Sequence, residues 1–208
     1  MIIAVDGPAA SGKGTIAKAL ARHYGLPHLD TGLLYRAVGI AVLRAGGDPS
    51  DEDEAFRHCT FDEALLSDPG LKSEAAGRAA SIVSAHPSVR AALLEHQREF
   101  ARQPGGAVLD GRDIGTVIAP EADAKLFVTA APEVRASRRF QELTGMGLSV
   151  NYEHVLGDIR ARDARDSGRG IAPLRKADDA LLLDTSELDV AMAVASAVAL
   201  VERMRVMG

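Results

Sequence analysis

Residues 2–24 leave this chain few architectures to choose from. Ile2-Ile3-Ala4-Val5 is a continuous apolar run closed by Asp6-Gly7-Pro8, the pattern of a short strand buried on both faces of a parallel sheet. From Lys13 to Tyr24 the period becomes helical and puts Ile16, Ala19, Leu20 and His23 on one stripe. Between the runs lies Gly7-Pro8-Ala9-Ala10-Ser11-Gly12-Lys13-Gly14-Thr15, a G-x-x-x-x-G-K sequence in the strand, loop, helix setting that gives such a match meaning. Its glycines let the backbone curl so that successive N–H groups converge on a phosphate. The helix start adds partial positive charge, and Lys13 adds a full one that can bridge the β- and γ-phosphates during transfer. The plain structural alternative is a glycine-rich turn with an exposed lysine. Gly14 stands where Ser or Thr usually follows the lysine, so the hydroxyl that could meet Mg²⁺ moves one position on, to Thr15.

Further apolar runs of strand length occur at 107–109, 124–129 and 180–183, with a short one at His28-Leu29. Helical patterns separate them at 33–45, 89–101, 132–143, 152–164 and 190–204. Such alternation predicts an α/β fold, a parallel sheet covered by helices on both faces with ligands at the carboxyl ends of its strands. Pro132 suits a first helical turn, and Gly145 and Gly147 mark the exit from that helix. Residues 46–86 read as short helices and loops, and no Pro- or Ser-rich linker divides the chain.

With 208 residues, 47% of them hydrophobic, the chain can bury one sizeable core and carry a mobile subdomain. Its 24 Lys and Arg against 29 Asp and Glu give −5, the wrong sign for a protein that coats nucleic acid. Cys59 stands alone, which excludes an internal disulfide and a cysteine zinc site and fits a reducing compartment. The longest apolar stretch, 190–201, is interrupted by Ser196 and is too short to span a bilayer, and the first residues lack a basic signal-peptide start. A cytoplasmic protein with no membrane partner is expected.

Three more segments carry chemistry. Leu29-Asp30-Thr31-Gly32-Leu33-Leu34-Tyr35-Arg36 places Thr31 where it can cap a helix and Arg36 where it can grip a phosphate through two parallel hydrogen bonds. A capping Thr beside a surface Arg is the alternative. Val108-Leu109-Asp110-Gly111-Arg112-Asp113-Ile114-Gly115-Thr116 is an apolar strand that delivers Asp-Gly-Arg-Asp to the end of the sheet. From Arg135 to Arg169 there are seven Arg, five Asp or Glu and no Lys, a net +2 that leaves −7 to the remainder. Arg162, Arg165 and Arg169 share a helical face by their spacing, as do Arg135 and Arg139, although i,i+4 Arg and Asp pairs serving only solubility would look similar.

The G-K-G-T ending is similar to that of the nucleoside monophosphate kinases. Together with L-D-T-G-L-L-Y-R, D-G-R-D-I-G-T and Arg162-Asp163-Ala164-Arg165-Asp166-Ser167-Gly168-Arg169, it makes the chain resemble the bacterial cytidylate kinases, the (d)CMP kinases. Ala172-Pro173-Leu174 and Leu183-Asp184-Thr185-Ser186 extend the resemblance over nearly the whole chain. It implies a P-loop kinase with a five-stranded parallel sheet of order 2-3-1-4-5, a small acceptor-binding subdomain and an arginine-rich lid. Residues 1–208 would form a single domain, with the core at 1–30, 102–134 and 170–208, the acceptor-binding region at 31–101 and the lid at 135–169.

The implied reaction moves the γ-phosphoryl group of ATP to CMP or dCMP, giving ADP and (d)CDP, by direct in-line transfer assisted by Mg²⁺. ATP would lie on residues 7–15 with Arg135 along the adenine, while Lys13, Arg112 and Arg139 stabilise the transferring group. Thr31, Arg36, Arg112 and Arg169 would surround the CMP phosphate, and Ser81, Arg90 and Asp113 would read the cytosine edge. Arg162 and Asp166 would meet the sugar hydroxyls, and Tyr35 would wall the pocket. Mg²⁺ would be held by Thr15 and, through water, by Asp110, for which a structural carboxylate is the alternative. Many bacterial members carry a longer insert where only about forty residues separate Gly46 from Arg90 here, and Lys72 stands where the family often has Arg. Two other readings use the same loop. A nucleotide-binding switch without transferase activity would need a guanine-reading N-K-x-D, and kinases of shikimate or dephospho-coenzyme A lack the paired D-G-R-D and R-D-x-R-D segments. A monomer is expected from the net charge and the lack of an apolar seam.

Overall fold

The computed structural model describes residues 1–207, the side chains of Glu63 and Met207 excepted. Five strands, β1 (Ile2–Asp6), β2 (His28–Asp30), β3 (Ala107–Gly111), β4 (Ala124–Thr129) and β5 (Leu181–Asp184), form one sheet of order β2-β3-β1-β4-β5. β1 pairs in parallel with both β3 and β4, which explains why it is apolar throughout until Asp6. The expected order and the five strands are therefore observed, each within two residues of its apolar run.

The chain divides into two compact units, Met1–Leu29 with Ala101 onward, and Asp30–Phe100. In the first unit, helices α1 (Lys13–Tyr24) and α8 (Val190–Met207) pack on the sheet, where Leu20, Ala197 and Val201 join Ile3, Val5, Val108, Leu126 and Val128 in one core. Helices α6 (Pro132–Gly145) and α7 (Tyr152–Gly168) make a second cluster of Ala136, Leu143, Val155, Leu156 and Ile159, with Ala9 and Ala10 of the phosphate loop packed against it. α7 runs four residues past its predicted end. Arg169 caps it in an extended conformation (ψ 140°) and Arg165 is exposed, so the three-arginine stripe expected on one helical face does not form.

The second unit is helical: α2 (Thr31–Arg44), α3 (Glu52–Arg57), two 3₁₀ turns (Glu63–Ser67 and Pro69–Lys72), α4 (Glu74–Val83) and α5 (Pro87–Ala101). α2 lies so close to α4 that a Cβ on Gly39 would sit 2.7 Å from that of Ala79. Asp30, not Thr31, caps α2, its carboxylate accepting from Gly32 N at 3.0 Å, while Thr31 is the first helical residue and is buried. The carboxylate preceding the helix wins because a charged acceptor satisfies an orphan N–H better than a hydroxyl does. Cys59 is half-buried, and burial pushes its thiol up to about 11, which leaves it unreactive near neutral pH. No helix among the described residues is long and apolar enough to cross a membrane.

Candidate active site

The phosphate loop takes its curl from two residues with left-handed backbone, Ala10 (φ 58°) and Gly12 (φ 87°). Gly7 is required for space: a Cβ there would fall on the carbonyl oxygen of Val128 in β4. α1 starts at Lys13 with Gly12, which has no side chain to cap it, in the setting where a helix start can receive an anion. Ser11 is fully buried, and its Oγ has no hydrogen-bond partner.

A cavity of about 520 Å³ opens beside this loop, lined by Ser11, Gly12, Thr15, Arg138, Arg139, Glu142 and, after β5, by Thr185, Leu188, Asp189 and Val190. Thr185 ties that wall together, donating to Ser11 O (3.0 Å) while Arg138 donates to both its hydroxyl (3.0 Å) and its carbonyl (2.6 Å). The sequence places Arg138 only within the arginine-rich stretch 135–169 and singles out no site role for Thr185 or residues 188–190. The only available signal was the Leu183-Asp184-Thr185-Ser186 run, read there as a family mark.

Arg135 does not line this cavity. Its buried guanidinium donates to Ala130 O (2.8 Å), Ala9 O (3.2 Å) and both oxygens of Asp163 (2.9 and 2.6 Å). Arg135, expected along adenine, uses this fork of four acceptors to fasten α6, α7 and the phosphate loop to one another. Arg139, expected at the transferring phosphoryl group, does face the cavity and is paired with Glu142 at 2.7 Å.

The D-G-R-D segment leaves the carboxyl end of β3 and enters a π-helical turn, Ile114–Ile118. Arg112 Nε donates to Asp166 (2.7 Å), Arg162 lies 3.9 Å from the same carboxylate, and Arg169 Nη2 lies 3.6 Å from Asp113. Five residues expected around CMP are thus gathered into one mesh. Burial alone would push the Asp166 carboxyl up, but the charges of Arg112, Arg162 and Arg169 outweigh it and hold it below its usual range. On the second unit, Arg36 donates to Leu71 O (2.6 Å). Buried Arg90 lies over the Tyr35 ring (5.7 Å to the centroid) and donates to Ser84 O (3.3 Å), whose hydroxyl bonds the carbonyl of buried Ser81 (3.2 Å).

Buried Asp110 is bonded to His28 Nε2 (2.8 Å), and its Oδ2 lies 3.7 Å from where a Cβ on Gly14 would be. Thr15 is exposed on the cavity wall, so it is Gly14 that faces the carboxylate. Among the described residues no group of three or more His, Cys, Asp or Glu could hold a metal. One carboxylate beside the lysine turn still fits Mg²⁺, which takes one or two carboxylates and completes its shell with water and nucleotide phosphates.

A glycine loop and helix start directly after β1, at the middle of a 2-3-1-4-5 sheet, define a P-loop kinase fold. Solved structures share this fold: a gluconokinase from Sinorhizobium meliloti 1021 (16% identical, TM-score 0.55, covering 98% of this chain and 92% of that one) and a protein from Eubacterium ventriosum (17%, TM-score 0.59, 98% of each). Within that class, residues 3–203 match the cytidylate kinase family. Cytidylate kinases from Xanthobacter autotrophicus and Rhodopseudomonas palustris TIE-1 are 63% and 58% identical, over 99% of this chain and 99% and 97% of theirs. The chain belongs to the cytidylate kinase family and is an ATP-dependent (d)CMP kinase. Coverage of both chains is nearly complete.

Proposed function

We propose that ATP is held by residues 7–15 and the cavity beside them, and that CMP or dCMP is held by Arg112, Asp113, Arg162, Asp166 and Arg169 together with Thr31, Tyr35, Arg36, Ser81 and Arg90. The observation that carries this reading is the mesh of half-buried arginines and buried carboxylates at the end of β3, next to the strand that ends in the phosphate loop. Such a mesh keeps guanidinium groups desolvated and oriented, so that a phosphate arriving among them meets preorganised charge. Asp113 is suited to accept from the exocyclic amine of cytosine, a donor that uracil lacks.

No covalent intermediate is needed, because a CMP phosphate oxygen is already an anionic nucleophile. The protein aligns it with the γ-phosphorus, and Lys13, Arg112 and Arg139 spread positive charge over the transferring group. Arg139 exchanges Glu142 for that group, while α6 and α7 keep water out, since water is a competing acceptor. Asp110 and Thr15 would hold Mg²⁺, which when bound would supply further neutralisation of the phosphate oxygens. The enzyme acts as a cytoplasmic monomer, which sedimentation tests.

The deciding experiment is a coupled assay that offers CMP, dCMP, UMP, AMP and shikimate with ATP and Mg²⁺. ADP release with CMP and dCMP above the others is expected, and tight ATP binding with no ADP release for any acceptor would make the chain a switch. Asp113→Asn should lower the CMP to UMP ratio of kcat/KM about a hundredfold. An unchanged ratio defeats the base-reading role.

A further inference from the structure

We propose that Asp6 is a positioning residue that fixes the D-G-R-D segment against the phosphate loop and so sets the acceptor side of the site. It is the last residue of β1, lies beside Gly111 of β3 in the parallel register and is buried. Its two carboxylate oxygens accept from consecutive backbone N–H groups, Oδ1 from Ile114 and Oδ2 from Gly115, each at 2.8 Å. Those bonds close across 108 and 109 residues of sequence. Arg112 and Asp113 are therefore suspended between two fixed points, the end of β3 at Gly111 and the pair of N–H groups held by Asp6. Directly after Asp6 comes Gly7, whose backbone allows no Cβ against Val128. One residue thus anchors the start of the donor loop and the turn behind the acceptor residues.

The fit is tight. A Cβ on Gly115 would lie 3.1 Å from Lys125 Cδ and 3.4 Å from Asp6 Oδ2, so the turn cannot carry a side chain there without yielding. The charged groups around Asp6 are Arg112 and Asp113 on the segment it holds and Lys125 on β4, whose ammonium is committed to Asp179 (2.6 Å) and Pro120 O. Burial pushes the Asp6 carboxyl up to about 7, Asp113 adds to this, and the two N–H bonds and Arg112 oppose it. A fold that merely needed an acceptor at this place could use an amide or a hydroxyl without bringing an acidic group into the core. What only a carboxylate offers is two equivalent oxygens for two adjacent donors.

The proposal rests on the (d)CMP kinase reading, and the test separates the two. Wild type, Asp6→Asn and Gly115→Ala are compared in the coupled assay, with KM and kcat measured separately for ATP and CMP and with UMP as a competing acceptor. Asp6→Asn keeps the shape but replaces one acceptor by a donor facing an N–H. It should raise KM for CMP about tenfold to a hundredfold and lower the CMP to UMP ratio, with KM for ATP within about twofold of wild type. Gly115→Ala, which displaces the same bonds while leaving Asp6 in place, should give the same split and serves if Asp6→Asn does not fold. Equal losses toward ATP and CMP, or none, would overturn the positioning role while leaving the kinase reading intact. A wild type that does not phosphorylate CMP removes that reading and the proposal with it.

Discussion

Lys13 and Gly7 serve the same loop by different physics, charge in one case and absence of volume in the other, and their substitutions should separate accordingly. Lys13→Ala removes the cation from the helix start without touching the fold. Turnover should fall by about a thousandfold, with a thermal midpoint within a few degrees of wild type. Gly7→Ala pushes a methyl into the carbonyl of Val128, so it should cost about 1–3 kcal/mol in urea unfolding and impair ATP binding as well. Lys13 was legible because its neighbours in the chain are its neighbours in space, and Gly7 through its place in the G-x-x-x-x-G-K pattern, although the carbonyl that excludes its Cβ belongs to β4. Asp6, His28 and Thr185 were not, since their partners lie 108, 82 and 174 residues away and nothing local announces them. The π-helical turn was equally hidden: Ile114 to Ile118 has no helical period, and its shape depends on a carboxylate from another strand.

Among the elements, the alternation of strands and helices was readable outside residues 46–86, because β1, β3 and β4 are apolar runs and the helices between the strands have their own stripes. The side of α6 that faces the nucleotide was not readable. Arg135, Arg138 and Arg139 are equivalent by composition, and only the arrival of Asp163 from α7 turns Arg135 into a fastener while Arg138 and Arg139 line the cavity. Arg135→Lys tests this division. The ammonium keeps the charge but cannot reach four acceptors at fixed angles, so about 1–2 kcal/mol of stability should be lost and α6 and α7 should exchange amide hydrogens faster. Arg139→Lys, on the cavity side, should spare stability and reduce kcat. If Arg135→Lys melts like wild type, the fastening role is wrong.

For the whole molecule, acidity and stability are linked through Asp6 in an unusual direction. Its folded-state pKa of about 7 lies well above the ordinary aspartate value near 4, so between those pH values the folded protein holds a proton that the unfolded chain has released. Its contribution to stability is complete below pH 4 and is lost as the pH rises toward 7, at up to about 1.4 kcal/mol per unit. Asp166, Asp179 and Asp184 are held below their usual range and act in the opposite sense, losing their contribution on acidification. The stability of wild type relative to Asp6→Asn, measured by urea unfolding between pH 5 and 8, should therefore decline with pH. A flat difference would show that Asp6 titrates normally. The net charge of −5 says nothing of this, since it averages a basic stretch from 135 to 169 with an acidic remainder.

The place of β1 between β3 and β4 has a consequence for biogenesis. The strand that carries the phosphate loop leaves the ribosome long before its partners, whose first paired residues are Ala107 and Ala124. Thr185, which braces Ser11, follows later still. Until then the nascent chain exposes an unpaired apolar strand and a glycine loop without its walls, so acquisition of nucleotide affinity is a late event and the waiting segment is a natural substrate for chaperones.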